Sequence, residues 1–129
     1  MLLLDTHILL WMNLEPHTLS KSATDAIKHA RAQSSIAVAD ITLWEVAWLA
    51  SRNRISIFGS LESFLREVLA GIVVHPITAE IATLSVQLPA TLAGDPSDRL
   101  IVSTALAHGI PLVTADQRIR QSQTVSTIW

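Results

Sequence analysis

Six of the eleven acidic residues share a placement at element junctions. Asp5, Asp40, Glu45, Asp95 and Asp98 fall at or just past the start of a helical stretch, and Asp116 follows an apolar run of strand length. In open α/β sheets the carboxyl ends of the strands share one edge and ligands bind in the crevice there, so acids far apart in sequence meet in one cleft. Two carboxylates about 5 Å apart repel by roughly 3 kcal/mol at an effective dielectric of about 20, so three or four together need a counterion. No lysine lies near these junctions and the chain has no cysteine. An all-oxygen set without a paired-histidine motif points to Mg²⁺ or Mn²⁺ rather than Zn²⁺. Hard cations on carboxylates are the apparatus of phosphodiester hydrolysis, where the metal generates hydroxide and stabilises charge on the phosphate and the leaving oxygen.

Taken singly, each acid also has an ordinary structural use. Asp5, Asp95 and Asp116 are N-cap types, Asp98 sits in a first turn where the helix dipole favours negative charge, and Thr42-Leu43-Trp44-Glu45 has the form of a capping box. Asp40, a turn acid before a helix, needs no further reason. It is the set that calls for chemistry. Glu15, Asp25, Glu62, Glu67 and Glu80 lie in loops or on solvent faces and are assigned none. His7 follows Asp5 directly, but on a helix start it points about 100° away from its neighbour, which favours packing or hydrogen bonding over catalysis. His17, His29, His75 and His108 have no partner at ligand spacing, and no Ser/His arrangement suggests a nucleophilic triad.

The elements that must position these acids follow from periodicity. Strands are expected at Leu2 to Asp5, Ser35 to Ala39, Ile72 to Val74, Leu112 to Thr114 and Val125 to Trp129. Helices are expected from Thr6, over Lys21 to Arg31 with Ser20 as N-cap, and over Ile41 to Ser51 and Ser60 to Ala70. Others follow over Thr78 to Leu88 and Pro96 to His108, with a loop at Pro89 to Gly94 and a short helix or turn at Asp116 to Arg120. Strand and helix alternate, which predicts an α/β fold with a parallel sheet covered by helices on both faces. The 129 residues fit a single domain over 1–129, and 50% hydrophobic against 16% charged residues excludes disorder. Mean hydropathy is high at +0.41, yet no run reaches the ~20 apolar residues of a membrane span, and no signal peptide is visible. The missing cysteines exclude a disulfide framework and fit a reducing cytoplasm. A net charge of -2 argues against gripping duplex DNA by bulk phosphate neutralisation. So apolar a surface predicts an oligomer.

Four segments, taken in order, carry a resemblance: Leu3-Leu4-Asp5-Thr6-His7, Ile41-Thr42-Leu43-Trp44-Glu45-Val46-Ala47, Gly94-Asp95-Pro96-Ser97-Asp98-Arg99-Leu100-Ile101-Val102 and Leu112-Val113-Thr114-Ala115-Asp116. They resemble the PIN-domain family, and within it the toxin ribonucleases of VapBC-type toxin-antitoxin pairs, over essentially the whole chain. The resemblance implies a PIN-like three-layer sandwich with a parallel sheet of four to five strands. It implies an acidic quartet of Asp5, Glu45, Asp98 and Asp116, with Asp5, Asp98 and Asp116 on Mg²⁺ or Mn²⁺ and Glu45 completing the shell or orienting water. Thr6 and Thr114 would orient that shell, while Asp95 fits both a cap before Pro96 and a further group in the cleft. The activity implied is hydrolysis of RNA, single-stranded or in loops, by a metal-activated water, with a small antitoxin and a second copy of the chain as partners.

For RNA contacts the sequence offers Arg99 first, beside Asp98, then the pairs Arg52/Arg54 and Arg118/Arg120. Trp44 and Trp48, four residues apart, share a helix face that suits core or partner packing, as an antitoxin groove or a dimer seam, more than base stacking. Two other enzyme or signalling classes fit poorly. A metal-dependent phosphatase wants Asp-x-Asp after the first strand where this chain has Asp5-Thr6-His7, and a receiver-type phosphoacceptor wants an acid pair there and a late lysine. A protein-interaction module whose acids only cap helices is the remaining alternative.

Overall fold

Short, mostly apolar runs pair in parallel, and the rest of the chain is arranged to cover both faces of the sheet they form. The computed structural model describes residues 1–92 and 94–129; Ala93, inside the expected loop of 89–94, lies outside the described residues. Among the described residues the sheet has five strands: β1 (Leu2–Leu4), β2 (Ile36–Ala39), β3 (Val73–His75), β4 (Leu112–Val113) and β5 (Thr127–Ile128). Their spatial order is β3-β2-β1-β4-β5, every pair is parallel, and Leu3 lies between Ala37 and Leu112. Seven helices are described: α1 (Thr6–Leu14), α2 (Lys21–Ala32), α3 (Ile41–Ser51), α4 (Leu61–Val68), α5 (Ala79–Gln87), α6 (Pro96–His108) and α7 (Gln117–Ser122). None is long and apolar enough to cross a membrane.

The alternation of side chains along each strand divides the core into two layers. Leu2, Leu4, Ile36 and Val38 face Ile8 and Leu9 of α1, Ile27 of α2 and Phe64 of α4. Leu3, Ala37, Ala39 and Leu112 face Ile101, Val102 and Ala105 of α6. Strand β2 therefore reads Ile-Ala-Val-Ala for a reason: its small residues all lie on the side of α6, where a larger side chain would hold the helix away.

Differences from expectation are local. The edge strand starts one residue late, at Val73, because the Ile72 N–H donates to the Leu69 carbonyl and closes the turn after α4. Pro16–Thr18 form an unforeseen 3-10 turn with proline at its start. The last strand is confined to two residues. Helix ends follow the sequence more closely, since Ser20, Ser60 and Thr78 each accept a hydrogen bond from a main-chain N–H three residues on.

Asp40 departs from its expected role. Its side chain makes no bond to its own helix; one oxygen accepts from the Ile77 N–H at 3.0 Å and ties the start of α3 to the loop after β3. A turn acid thus serves a contact 37 positions away.

Helix α6, which carries two of the candidate acids, ends at Gly109 in the left-handed conformation with φ 62°. A Cβ there meets nothing within 4 Å, so only the backbone resists substitution. Gly109→Ala is expected to lower the urea midpoint by an amount equivalent to about 1 kcal/mol with an unchanged slope. An unchanged midpoint would show that the cap carries no strain.

Candidate active site

Strands β1 and β4 lie side by side at the centre of the sheet, so the residues that leave their carboxyl ends emerge together. The Asp5 N–H still donates to the Val113 carbonyl at 3.0 Å, which fixes the Asp5 backbone as a continuation of the ladder. Asp5 and Asp116 then cap the helices that follow, α1 and α7. Asp95 and Asp98 come from the N-terminus and first turn of α6, and Glu45 from α3. All five line one cleft of about 330 Å³ with His7, Trp11 and Ala115.

Two buried threonines hold these acids in place. The Thr114 hydroxyl donates to Asp5 Oδ2 at 2.7 Å and accepts the Asp116 N–H at 3.1 Å, so one side chain fixes the acids that follow both central strands. The Thr6 hydroxyl donates to Glu45 Oε1 at 2.6 Å, and Thr6 N–H donates to Asp5 Oδ1 at 2.8 Å. Having given its only proton to Glu45, the Thr6 oxygen accepts from Thr42, 3.0 Å away. A chain Thr42–Thr6–Glu45 therefore joins α3 to α1.

That chain overturns the capping-box expectation for Thr42 and Glu45. Helix α3 begins at Ile41, one residue before Thr42, so Thr42 is already inside it and both side chains turn towards α1. The Arg99 guanidinium donates to the carbonyls of Ser85, Leu88 and Pro89 and fastens α6 to the end of α5. Asp95 and Asp116 do cap, accepting from the N–H groups of Ser97 and Ile119, and both still line the cleft. Besides Ala115, three cleft or support residues have no site role in the sequence reading. Thr42 was hidden by the capping-box pattern, and His7 was turned aside by its angle from Asp5. Trp11 lies one helical turn beyond His7, a spacing that would have revealed it once His7 was in the cleft.

The electrostatics are those of crowded like charges. Burial pushes the Asp98 carboxyl up to about 7, and the carboxylates of Asp5, Asp95, Glu45 and Asp116 add to the effect. Burial also raises Asp5, against the pull of Thr114, His7 and the Thr6 N–H, and it raises Glu45 against its bond from Thr6. Among the described residues no three His, Asp or Glu side chains make a ready-formed metal shell. The donor set is nonetheless all oxygen, partly buried and mutually repulsive, and these are the properties that a hard divalent cation relieves.

Comparison with known proteins places this geometry. The PIN domain family model matches residues 2–123. The chain is 42% identical over 118 residues to Ribonuclease VapC22 of Mycobacterium tuberculosis, covering 92% of this chain and 88% of that one. Among solved structures it is similar to VapBC2 from Rickettsia felis bound to a promoter DNA fragment, at a TM-score of 0.74 and 19% identity over 98% of this chain and 96% of that one. A DNA-bound VapBC from Salmonella typhimurium also aligns at a TM-score of 0.74, with 16% identity over 98% of this chain and 95% of that one. At these identities the structural likeness speaks for the fold.

The raised carboxyls carry a stability consequence. Asp98 titrates near 3.8 in the unfolded chain and about 7 in the folded one, so the folded state binds its proton more tightly. The stabilisation from that proton is complete below the unfolded value and is lost as pH rises through 7. His75, lowered by burial and by His108, acts in the opposite sense, so comparison with a variant isolates the carboxyl. In EDTA, Asp98→Asn is expected to raise Tm relative to wild type by roughly 3 °C at pH 8 and much less at pH 5. Equal Tm differences at both pH values would contradict the shift.

Proposed function

The chain belongs to the PIN domain family, and from that premise we propose that it is a divalent-metal-dependent endoribonuclease, the toxin of a toxin-antitoxin pair. The observation that carries this reading is the convergence of Asp5, Glu45, Asp98 and Asp116, from four separate elements, on one cleft. The name of the 42% identical relative, Ribonuclease VapC22, supports the substrate class. The VapBC pairs among its structural neighbours support a small antitoxin as partner. We assign the whole of residues 1–129 to one nuclease domain acting in the cytoplasm as a homodimer, with single-stranded or loop RNA as its substrate.

In this reading Asp5, Asp98 and Asp116 hold Mg²⁺ or Mn²⁺, and Glu45 serves the attacking water. A bound ion supplies Lewis acidity towards that water and neutralises charge at the phosphate. The protein supplies position. Thr114 holds Asp5 and the Asp116 backbone at a fixed separation, so two ligands from different strands are set before any ion arrives. Thr6 occupies Glu45 Oε1 and leaves Oε2 as the atom that orients the water and accepts its proton. Burial raises the Glu45 carboxyl, which makes it a stronger base than an exposed glutamate. Asp95 is held by the Ser97 N–H and contributes negative charge at the rim.

End-labelled single-stranded RNA incubated with purified protein is expected to be cut in Mg²⁺ or Mn²⁺ and to survive in EDTA. Asp5→Asn and Asp98→Asn each lose at least ~100-fold in rate, and Thr114→Val about 10- to 100-fold, with circular dichroism unchanged. Folded wild-type protein that neither cuts RNA nor binds either ion would leave the acids as helix caps and favour an interaction module.

A further inference from the structure

Arginines lie on the surface beyond the acidic cleft. His7 and Trp11, in the lining of the cleft, also line a neighbouring cavity of about 290 Å³ together with Leu49, Arg54 and one acid, Glu15. Leu49 and Arg54 in turn border a third cavity, of about 350 Å³, with Trp48 and Arg52. The three cavities thus share lining residues in series, from the carboxylates past Leu49 to Arg52 and Arg54. Among the described residues neither Arg52 nor Arg54 forms a salt bridge, and the two surface ion pairs are Lys21–Asp25 and Arg66–Glu62.

Trp48 and Arg52 also belong to a ladder of flat side chains at four-residue spacing, Trp44–Trp48–Arg52, with Trp48 in the middle. Trp44 and Trp48 stack with centroids 5.5 Å apart and planes 20° from parallel, and the Arg52 guanidinium lies 4.1 Å from the centroid of Trp48. The rings are 55% and 45% exposed, so they are not part of the core. Exposed indoles interleaved with arginine are the features by which proteins hold single-stranded nucleic acid: bases stack on the rings while cations meet the phosphates. Arg52 lies about 12 Å along the helix from Trp44, and Glu45 of the cleft is the residue after Trp44.

We propose that Trp44, Arg52 and Arg54, with Trp48 as the platform held between Trp44 and Arg52, form a binding track for single-stranded RNA, which stacks a base of the substrate on the face of Trp44 turned away from Trp48 and leads its backbone into the acidic cleft. This rests on the ribonuclease reading and adds where the substrate lies. Like charge in the cleft repels an RNA chain, and the track supplies the attraction at one side of it. Because stacking is tolerant of base identity, the track selects single strands over duplexes rather than one sequence.

The test is fluorescence anisotropy of a labelled ten-nucleotide oligouridylate on protein carrying Asp98→Asn, which separates binding from cutting. Trp44→Ala and Trp48→Ala are each expected to weaken binding by about fivefold or more, and Trp48→Phe to retain most of it. Neither alanine change should matter for an abasic oligomer of equal length. Arg52→Ala should reduce the slope of log affinity against log salt by about 0.7. On an Asp98-intact background the ring substitutions should raise KM for RNA cleavage with kcat within about twofold. Alanine variants that bind the oligouridylate as wild type does overturn the track. So does a conversion of dimer to monomer by Trp44→Ala or Trp48→Ala in light scattering with oligouridylate binding intact, which would make the face a seam between copies. If wild type binds the oligomer through the rings but cuts no RNA in any metal, the nuclease reading fails while the track stands.

Discussion

Mutual repulsion among Asp5, Glu45, Asp95, Asp98 and Asp116 is the force against which the rest of this structure is arranged. Any two carboxylates near 5 Å apart cost roughly 3 kcal/mol at an effective dielectric of about 20, and the charges acting on Asp98 from its neighbours are all carboxylates. Such a cluster persists only when the backbone beneath it cannot yield. The parallel sheet meets that need, because β1 is paired on both sides and Asp5 remains tied to β4 through the Val113 carbonyl. The buried layers on both faces then stabilise the strands that the acids strain against.

Capping and chemistry are carried by the same atoms in this cleft. Asp95 and Asp116 bond the first turns of α6 and α7 and also line the cavity. A helix N-terminus tolerates a carboxylate because its dipole and free N–H groups favour negative charge. Placing four helix starts along one sheet edge is therefore an inexpensive way to gather acids, and threonine hydroxyls provide the fine adjustment. Thr114 and Thr6 each bridge two parts of the site, so their loss should be felt as misplacement of carboxylates rather than loss of fold.

Much of this was legible from residue order. The passage from Leu2-Leu3-Leu4 into Asp5 and Thr6, and the span from Pro96 to Gly109, follow from local rules: apolar strand runs, proline at a helix start, glycine at its end. What local rules could not supply was direction. Thr42 and Glu45 satisfy a capping pattern, but the helix starts a residue earlier and both turn to Thr6, 36 and 39 positions away. Arg99 follows Asp98 in sequence, and its guanidinium meets carbonyls at the end of α5. His7 reaches the cleft because the cleft is wide enough to include the next face of α1. In each case the deciding partner lies on another element, and spacing within one segment is silent about it.

The account turns on the claim that the carboxylate cluster is completed by a divalent cation. Titration of Mn²⁺ into the purified chain by calorimetry, in buffers of different ionisation enthalpy, tests it most directly. Binding at pH 6 is expected to release a proton from Asp98, binding at pH 8.5 to release little, and Asp5→Asn or Asp98→Asn to weaken binding sharply. Absence of binding at either pH, or binding that survives both substitutions unchanged, would contradict the claim.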